Sequence, residues 1–143
     1  MPAGNYLGFD FGLRRIGVAV GESITGSARP LTTLPCRDGT PDWERVATLI
    51  KDWQPQALVV GVPRHADGAD SALTPLAERF ARRLHGRFAV PVHTIDEHLS
   101  SHAAERHLSE HGRGGRKLAK RKEDIDSLAA AIILESWLQE RHD

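Results

Sequence analysis

Two neighbouring segments near the N-terminus constrain the fold most, because each of them alternates between large and small side chains. In residues 5–11, leucine and phenylalanine lie on one side of the predicted strand, whereas Gly8 and Asp10 lie on the other. Residues 16–22 repeat the pattern, with isoleucine and valine opposite glycine and alanine. The turn-like residues 12–15 join the two segments, so we predict an antiparallel hairpin with one bulky face and one low face.

The rest of the chain alternates between strand and helix patterns. Residues 57–62 are short and apolar throughout, which is typical of a strand buried on both faces. Further strands are predicted at residues 31–35 and 90–96, and helices at 41–53, 72–85, 101–111 and 124–140. We therefore predict a single α/β domain over residues 1–143, with a mixed five-stranded sheet that starts with the antiparallel hairpin and carries helices on both faces.

Composition and charge exclude several classes of protein. Hydrophobic residues make up 40% of the 143 positions and charged residues 27%, as in ordinary globular domains. Lys+Arg and Asp+Glu both total 19, so the protein does not coat nucleic acid by bulk charge, although a local basic surface would suffice for an enzyme. Cys36 is the only cysteine, and neither a secretory signal nor a bilayer-length apolar run is evident. We expect a cytoplasmic protein without a membrane partner.

Carboxylates stand at three positions where such a fold can carry chemistry. Asp10 ends the first strand on its low face, where a buried carboxylate needs a cation or hydrogen-bond donors. Asp96 and Glu97 end a later strand, at the edge where α/β sheets bind ligands. Successive strand residues point in opposite directions, so only one of this pair can face a site, and periodicity does not say which. Asp126 begins the last predicted helix.

Each carboxylate also has an ordinary structural explanation. Asp10 can cap the hairpin turn, and acidic residues such as Glu97 and Asp126 stabilise the N-terminus of a helix. As a cluster, however, carboxylates repel one another unless divalent cations compensate, and oxygen-only ligand sets suit Mg²⁺ or Mn²⁺. Two such ions about 3.5–4 Å apart can activate water and stabilise the leaving oxygen of a phosphodiester. A metal-dependent nuclease is therefore one function that these residues can serve.

The last helix offers a way to bring two of these carboxylates together. Ala129 and Ala130 lie three and four residues after Asp126 and so share its face of the helix. Small residues allow a helix to lie close to a sheet, and the low face of the hairpin offers a matching surface. We predict that these surfaces pack together and bring Asp126 beside Asp10.

Four segments resemble, in order and spacing, the motifs of the YqgF/RuvX family of bacterial nucleases. They are DFGLRRIGVA at residues 10–19, VVGVP at 59–63 followed by an Asp-Gly turn, DEHLSS at 96–101 and DSLAA at 126–130. The resemblance implies a ribonuclease H-like fold related to Holliday-junction resolvases, and a role in processing the 5′ end of precursor 16S ribosomal RNA. It also implies that the catalytic, metal-binding residues are Asp10, Glu97 and Asp126.

The chain departs from the family pattern at two places. His98 follows the glutamate of the third motif, where the family commonly has arginine. Arg64 and His65 replace the usual leucine-asparagine pair after the proline of the second motif. Neither change removes a carboxylate, but both bear on contacts with the substrate.

Two groups of basic residues are candidates for contacts with RNA phosphates. Such contacts position a substrate without reading its sequence, whereas a solvated charged loop is the structural alternative. The first group precedes the last predicted helix and the second lies in the hairpin turn; together they comprise Arg113, Arg116, Lys117, Lys120, Arg121 and Lys122, and Arg14 and Arg15.

Three other functions remain open at this stage. A Holliday junction resolvase would act on branched DNA and would need a dimer to cut symmetrically. A non-catalytic RNA-binding or transcription-associated factor would keep the fold without turnover, although all three carboxylates are present. An actin-like ATPase, whose hairpin also begins with Asp-x-Gly, would need a second similar domain that this chain has no room for.

Overall fold

A computed structural model describes residues 4–97 and 122–142 as six strands and three helices. The strands are β1 (Asn5–Asp10), β2 (Arg15–Glu22), β3 (Ser27–Arg37), β4 (Thr40–Pro41), β5 (Ala57–Val62) and β6 (Val92–Asp96). The helices are α1 (Trp43–Trp53), α2 (Thr74–Phe88) and α3 (Lys122–His142). All six strands belong to one sheet in the order β4-β3-β2-β1-β5-β6.

The predicted hairpin and the mixed sheet are confirmed. β1 pairs antiparallel with β2, whereas β1–β5 and β5–β6 are parallel pairs. Every residue of β5 is buried, as its continuous apolar run predicts. The chain therefore enters the sheet as an antiparallel meander and completes it through helical crossovers.

The prediction of five strands is wrong by one. β3 extends on both sides of the predicted residues 31–35. Most of its side chains are exposed or half-buried, so the sequence lacks the alternation from which the full length of the strand could have been predicted. After Arg37 the chain turns through Asp38 and Gly39, both at positive φ, and Thr40–Pro41 returns along β3 as β4. A two-residue strand is too short to leave a periodic pattern.

Three of the four predicted helices are confirmed, and caps set the bounds of α1 and α2. Asp42 caps α1 by accepting a hydrogen bond from the backbone N–H of Glu44 at 3.0 Å. Gln54 and Ala89 end α1 and α2 in the left-handed conformation. The predicted helix at residues 101–111 lies outside the described residues.

The two faces of the sheet carry different layers. On the bulky face, α1 and α2 pack over Leu7, Phe9 and Val18, and the aromatic ring of Phe80 meets that of Phe9 at 5.8 Å. On the low face, α3 packs through alanine, isoleucine, leucine and Trp137 against Tyr6 of β1, Ala19 of β2 and Ala57 and Val59 of β5, and it also contacts β3. Helices on both faces are thereby confirmed. No helix within the described ranges combines the length and apolar character that a membrane crossing requires.

Candidate active site

Asp10 lies between two glycines at the end of β1. In the sheet register it is paired with Gly17 on the antiparallel strand β2 and with Gly61 on the parallel strand β5. Side chains at the same register position of neighbouring strands share a face, so the surface on either side of the Asp10 carboxylate is bare backbone. These two gaps admit the other acidic residues of the site.

Gly17 makes room for the start of α3. A Cβ atom built on Gly17 would lie 2.8 Å from the amide nitrogen of Ser127 and closer still to the carbonyl group of Asp126. The backbone of α3 therefore rests directly on β2 at this point. The predicted packing of α3 on the low face is confirmed, and its consequence is that the first turns of the helix lie beside Asp10.

Gly61 makes room for the carboxylate of Glu97. A Cβ atom at Gly61 would lie 2.9 Å from Oε2 of Glu97 and 2.5 Å from Cδ1 of Ile133 on α3. This role of Gly61 was not predicted from the sequence. The available signal was a single glycine within the otherwise bulky strand β5, which indicates a close approach by another group.

Asp10 and Glu97 are in direct contact through a side-chain hydrogen bond. Burial raises the pKa of Asp10 well above its ordinary value, the negative charge of Glu97 and this hydrogen bond raise it further, and the charge of Asp126 adds to the effect. Two carboxylates that share a hydrogen bond must share a proton. The arrangement therefore favours either a proton or a cation between them.

The structure also separates Glu97 from its neighbour Asp96. The backbone N–H of Glu97 donates to the carbonyl of Val62 at 3.1 Å, and its side chain lies toward Asp10. Asp96 instead accepts a hydrogen bond from Nε of Arg64 at 2.7 Å. Sequence periodicity left the choice between the two acidic residues open, and the structure brings Glu97 to Asp10.

Asp126 lies near this pair, but its carboxylate is held by an arginine. Nε of Arg15 donates to Oδ2 of Asp126 at 2.7 Å, and both side chains are partly exposed. Within residues 4–97 and 122–142, no group of three or more His, Cys, Asp or Glu side chains is arranged to hold a metal ion. The structure thus brings Asp10 and Glu97 together and places Asp126 alongside them, paired with a guanidinium.

Arg64 was noted only as a departure from the family pattern, and the structure gives it a defined place. Its guanidinium forms ion pairs with Asp70, with Asp96 at 2.7 Å and with Glu78 at 3.8 Å. These carboxylates belong to the loop after β5, to β6 and to α2. Arg64 therefore connects three segments beside the acidic pair, an interaction that the leucine usual at this position would not make.

The remaining predicted site residues are basic. Arg14 is exposed in the hairpin turn, next to the paired Arg15. Lys122 is the first residue of α3. Five further candidates lie outside the described residues: Arg113, Arg116, Lys117, Lys120 and Arg121.

A mixed sheet that begins with an antiparallel meander, with an aspartate at the end of its first strand and a second carboxylate brought to it from the end of a parallel strand, is typical of the ribonuclease H-like class. Solved resolvases share this fold. The fowlpox virus resolvase, solved with Holliday junction DNA, is 14% identical with a TM-score of 0.60, and the alignment covers 97% of this chain and 99% of that one. Thermus thermophilus RuvC in complex with a Holliday junction substrate is 19% identical with a TM-score of 0.58, and the alignment covers 96% of this chain and 95% of that one.

Sequence comparison identifies the family. Residues 4–140 match the family model described as RuvX, Holliday junction resolvase. A protein of Azotobacter vinelandii, provisionally named a pre-16S rRNA nuclease, is 53% identical over 136 residues, which cover 94% of this chain and 93% of that protein. A Legionella pneumophila protein with the same provisional name is 50% identical over 140 residues, or 98% and 99% of the two chains. The chain belongs to the RuvX family.

Proposed function

We propose that this protein is a divalent-metal-dependent nuclease that hydrolyses phosphodiester bonds, with Asp10, Glu97 and Asp126 as its catalytic residues. The observation that carries the proposal is the placement of Asp10 between Gly17 and Gly61, which lets the other two acidic residues approach it from either side. A carboxylate placed for hairpin capping alone would not need both neighbouring strands to be bare.

The donor set fits Mg²⁺ or Mn²⁺, and we propose that the three carboxylates hold two ions. All the donors are carboxylate oxygens, which these hard cations prefer. The raised pKa of Asp10 is consistent with this fit, because a bound cation would offset both of its causes, burial first and then repulsion from Glu97 and Asp126. Metal ions at this position would activate a water molecule and stabilise the leaving oxygen.

The protein's own side chains have separable roles in this proposal. Asp10 and Glu97 form the fixed part of the ligand set, and without a cation they hold a proton between them. Asp126 completes the set when its carboxylate leaves Arg15, and the released guanidinium then stands close enough to the site to bind a phosphate oxygen. Arg64 fixes Asp96, so that Glu97, the next residue, keeps its direction toward Asp10.

The substrate that we propose is the 5′ end of precursor 16S rRNA, processed in the cytoplasm, either free or within a pre-ribosomal particle. The provisional names of relatives that are about half identical over nearly the whole chain support this choice. Branched DNA is the second candidate, because the family is described as resolvases and the shared fold was solved with Holliday junctions.

The decisive experiment compares two adjacent carboxylates that point in different directions. We expect Glu97→Gln to lower the cleavage rate at least about a hundredfold with Mg²⁺ or Mn²⁺, because a metal ligand is lost. Asp96→Asn keeps a hydrogen-bond acceptor for Arg64 and should remain active. Asp10→Asn should match Glu97→Gln, and EDTA should abolish cleavage by the wild type.

Each variant is assayed on an RNA that contains the 16S leader and on a four-way DNA junction. Cleavage of only one substrate decides between the two candidates. If Glu97→Gln and Asp10→Asn cleave as well as Asp96→Asn, the assigned site is wrong. If the wild type cleaves neither substrate with either metal, the nuclease proposal itself fails.

A further inference from the structure

The outer face of α2 carries a concentration of positive charge in a chain whose formal net charge is zero. Four arginines occur within nine residues of this helix, and its one acidic residue, Glu78, interacts with Arg64. Most hydrophobic residues of α2 are buried against the sheet, whereas three of the four arginines are exposed and the fourth, Arg83, is half-buried. They are Arg79, Arg82, Arg83 and Arg87, and we call them the α2 arginines.

A tryptophan on α1 holds two of the α2 arginines in place. The guanidinium carbons of Arg83 and Arg87 lie 5.0 and 4.4 Å from the ring centroid of Trp43. Nη1 of Arg83 also donates to the hydroxyl of Thr40 at 3.3 Å. The indole is itself stacked on Phe80, with ring centroids 5.9 Å apart and an interplanar angle of 20°. Cation–π contacts with a partly buried indole reduce the freedom of both guanidinium groups before any ligand binds.

These guanidinium groups have no carboxylate counterpart in the described part of the chain. The ion pairs there engage only Arg15 and Arg64, and none includes an α2 arginine. Arg79, Arg83 and Arg87 follow one another at intervals of four residues, so they rise about 6 Å per step along one side of the helix. An anionic polymer lying along α2 can therefore meet several positive charges in succession.

α2 begins at the same end of the sheet as the acidic pair, although it packs on the bulky face and the carboxylates lie on the low face. The hydroxyl of Thr74, the first residue of α2, donates to the carbonyl of Pro63 at 2.5 Å, directly after β5. The helix begins at the edge of the sheet where Glu97 approaches Asp10 and runs away from it for 15 residues. Arg87 is therefore about 20 Å further along the helix axis than Thr74.

We propose that the α2 arginines, held by Trp43, form a second contact surface for the sugar-phosphate backbone of the nucleic acid, away from the carboxylates. This surface binds several nucleotides from the scissile bond and fixes the direction of the strand without reading its sequence. The choice of nucleic acid as ligand rests on the proposed function. The arrangement of the arginines does not depend on it.

The test is nucleic-acid binding in EDTA, measured by fluorescence anisotropy of a labelled leader RNA at a series of salt concentrations. Arg83→Gln/Arg87→Gln removes two guanidinium groups stacked on tryptophan. The matched control, Arg29→Gln/Arg141→Gln, removes two others, which lie over Trp53 and Trp137 at 5.3 and 4.9 Å. Both double variants change net charge equally, so any difference between them reports position.

We expect Arg83→Gln/Arg87→Gln to bind roughly tenfold more weakly near 0.1 M salt, and the slope of log affinity against log salt to become shallower by about 1.4. The control variant should keep the wild-type salt dependence. Arg83→Lys/Arg87→Lys should keep most of the wild-type slope, because lysine retains the positive charge. Equal losses of RNA affinity in Arg83→Gln/Arg87→Gln and in the control would overturn the proposal. An unchanged salt dependence in Arg83→Gln/Arg87→Gln, with only a lower melting temperature, would overturn it as well.

Failure of the two proposals can be told apart. If RNA binding depends on the α2 arginines but the wild type cleaves nothing, the surface stands and the nuclease assignment fails. If the wild type cleaves and RNA binding does not depend on the α2 arginines, the nuclease assignment stands and the proposed contact surface fails. If the wild type binds neither the RNA nor the junction at low salt, the contact surface is excluded.

Discussion

The two faces of the sheet are built for different purposes. On the bulky face, leucine, valine and phenylalanine side chains interlock with α1 and α2, and the helix backbones stand off by the thickness of that layer. On the low face, Gly8 and Gly17 let α3 touch the sheet: a Cβ at Gly8 would lie 3.1 Å from the carbonyl oxygen of Ala130. The bulky face holds the larger cluster of buried apolar residues, whereas on the low face the backbones of helix and sheet come into contact. Proximity is what places Asp126 beside Asp10.

The largest effect is expected where the two backbones meet. In Gly17→Ala, the new Cβ must displace the carbonyl of Asp126, which no side-chain rotation can avoid. We expect a loss of about 1–3 kcal/mol in the free energy of unfolding, as for an overpacked core, together with a loss of most nuclease activity. Urea denaturation and the cleavage assay measure the two quantities.

Gly86→Ala is the matched control, because a Cβ at this position in α2 meets nothing within 4 Å. Replacing a glycine within a helix should stabilise the protein by up to about 1 kcal/mol and leave cleavage unchanged. If Gly17→Ala proved as stable and as active as this control, the close approach of α3 to β2 would be disproved.

A second comparison substitutes one fully buried alanine on each face. Ala130 lies in α3 and Ala77 lies in α2, and both alanine side chains are inaccessible to solvent, so the variants to compare are Ala130→Leu and Ala77→Leu. Both should destabilise the protein by about 1–3 kcal/mol through overpacking. Only Ala130→Leu should also lower activity, because it pushes Asp126 away from Asp10.

The measurement is the cleavage rate at a temperature where both variants remain folded, as judged by circular dichroism. Similar losses of activity in the two would show that the site responds to stability in general. The special role assigned to the low face would then have to be abandoned.

The alternation of large and small residues was enough to predict that the two faces of the sheet differ in this way. Gly8 and the glycines of β2 define a low face from the sequence alone, and the small residues of α3 indicate what packs on it. The neighbour of Asp10 on the other side was not predictable in this way. Gly61 reaches register with Asp10 through a parallel pairing of strands that are distant in sequence, and single-sequence patterns do not encode such a register.

The same limit applies to the ion pairs. The partners of Arg64 come from three segments, so the residue appeared only as an exception to a motif. Arg15 appeared as a candidate phosphate ligand, whereas the structure pairs it with Asp126, more than a hundred residues later in the chain. Charge and position in a turn predict that an arginine is accessible, but they do not predict which anion it meets.

A smaller effect is expected at the ion pair where the low face meets the site. Arg15→Gln frees the carboxylate of Asp126, so a cation no longer competes with the guanidinium for it. We expect Mn²⁺ to bind a few-fold more tightly in the absence of nucleic acid, as measured by electron paramagnetic resonance of free Mn²⁺. Stability should change by less than about 1 kcal/mol, because the pair is partly exposed.

Arg14→Gln is the control for this experiment. Arg14 is exposed next to Arg15, and its substitution removes the same charge. Its Mn²⁺ affinity should remain close to that of the wild type. Unchanged or weaker Mn²⁺ binding by Arg15→Gln, relative to this control, would mean that Asp126 does not join the ligand set.

The smallest effect concerns pH and also arises on the α3 side of the sheet. The ring of His93 on β6 lies 5.0 Å from that of Trp137, and burial, followed by the positive charge of Arg141, lowers the pKa of His93 below 6.5. The unfolded chain therefore takes up this proton at a higher pH than the folded protein does. Stability should fall as the pH drops from 6.5 through the folded pKa, because protons then bind preferentially to the unfolded state.

His93→Gln removes this contribution, so its melting temperature should decline less than that of the wild type between pH 7.5 and pH 5. Arg141→Gln should reduce the decline in part, because burial is the larger cause of the pKa shift and remains in place. His93 is itself largely exposed, so only a modest difference is expected. Parallel declines in all three proteins would show that the contact of β6 with α3 near Trp137 is too loose to exclude water. The close packing that distinguishes the low face would then not extend to β6 and would be strongest at the strands nearer Asp10.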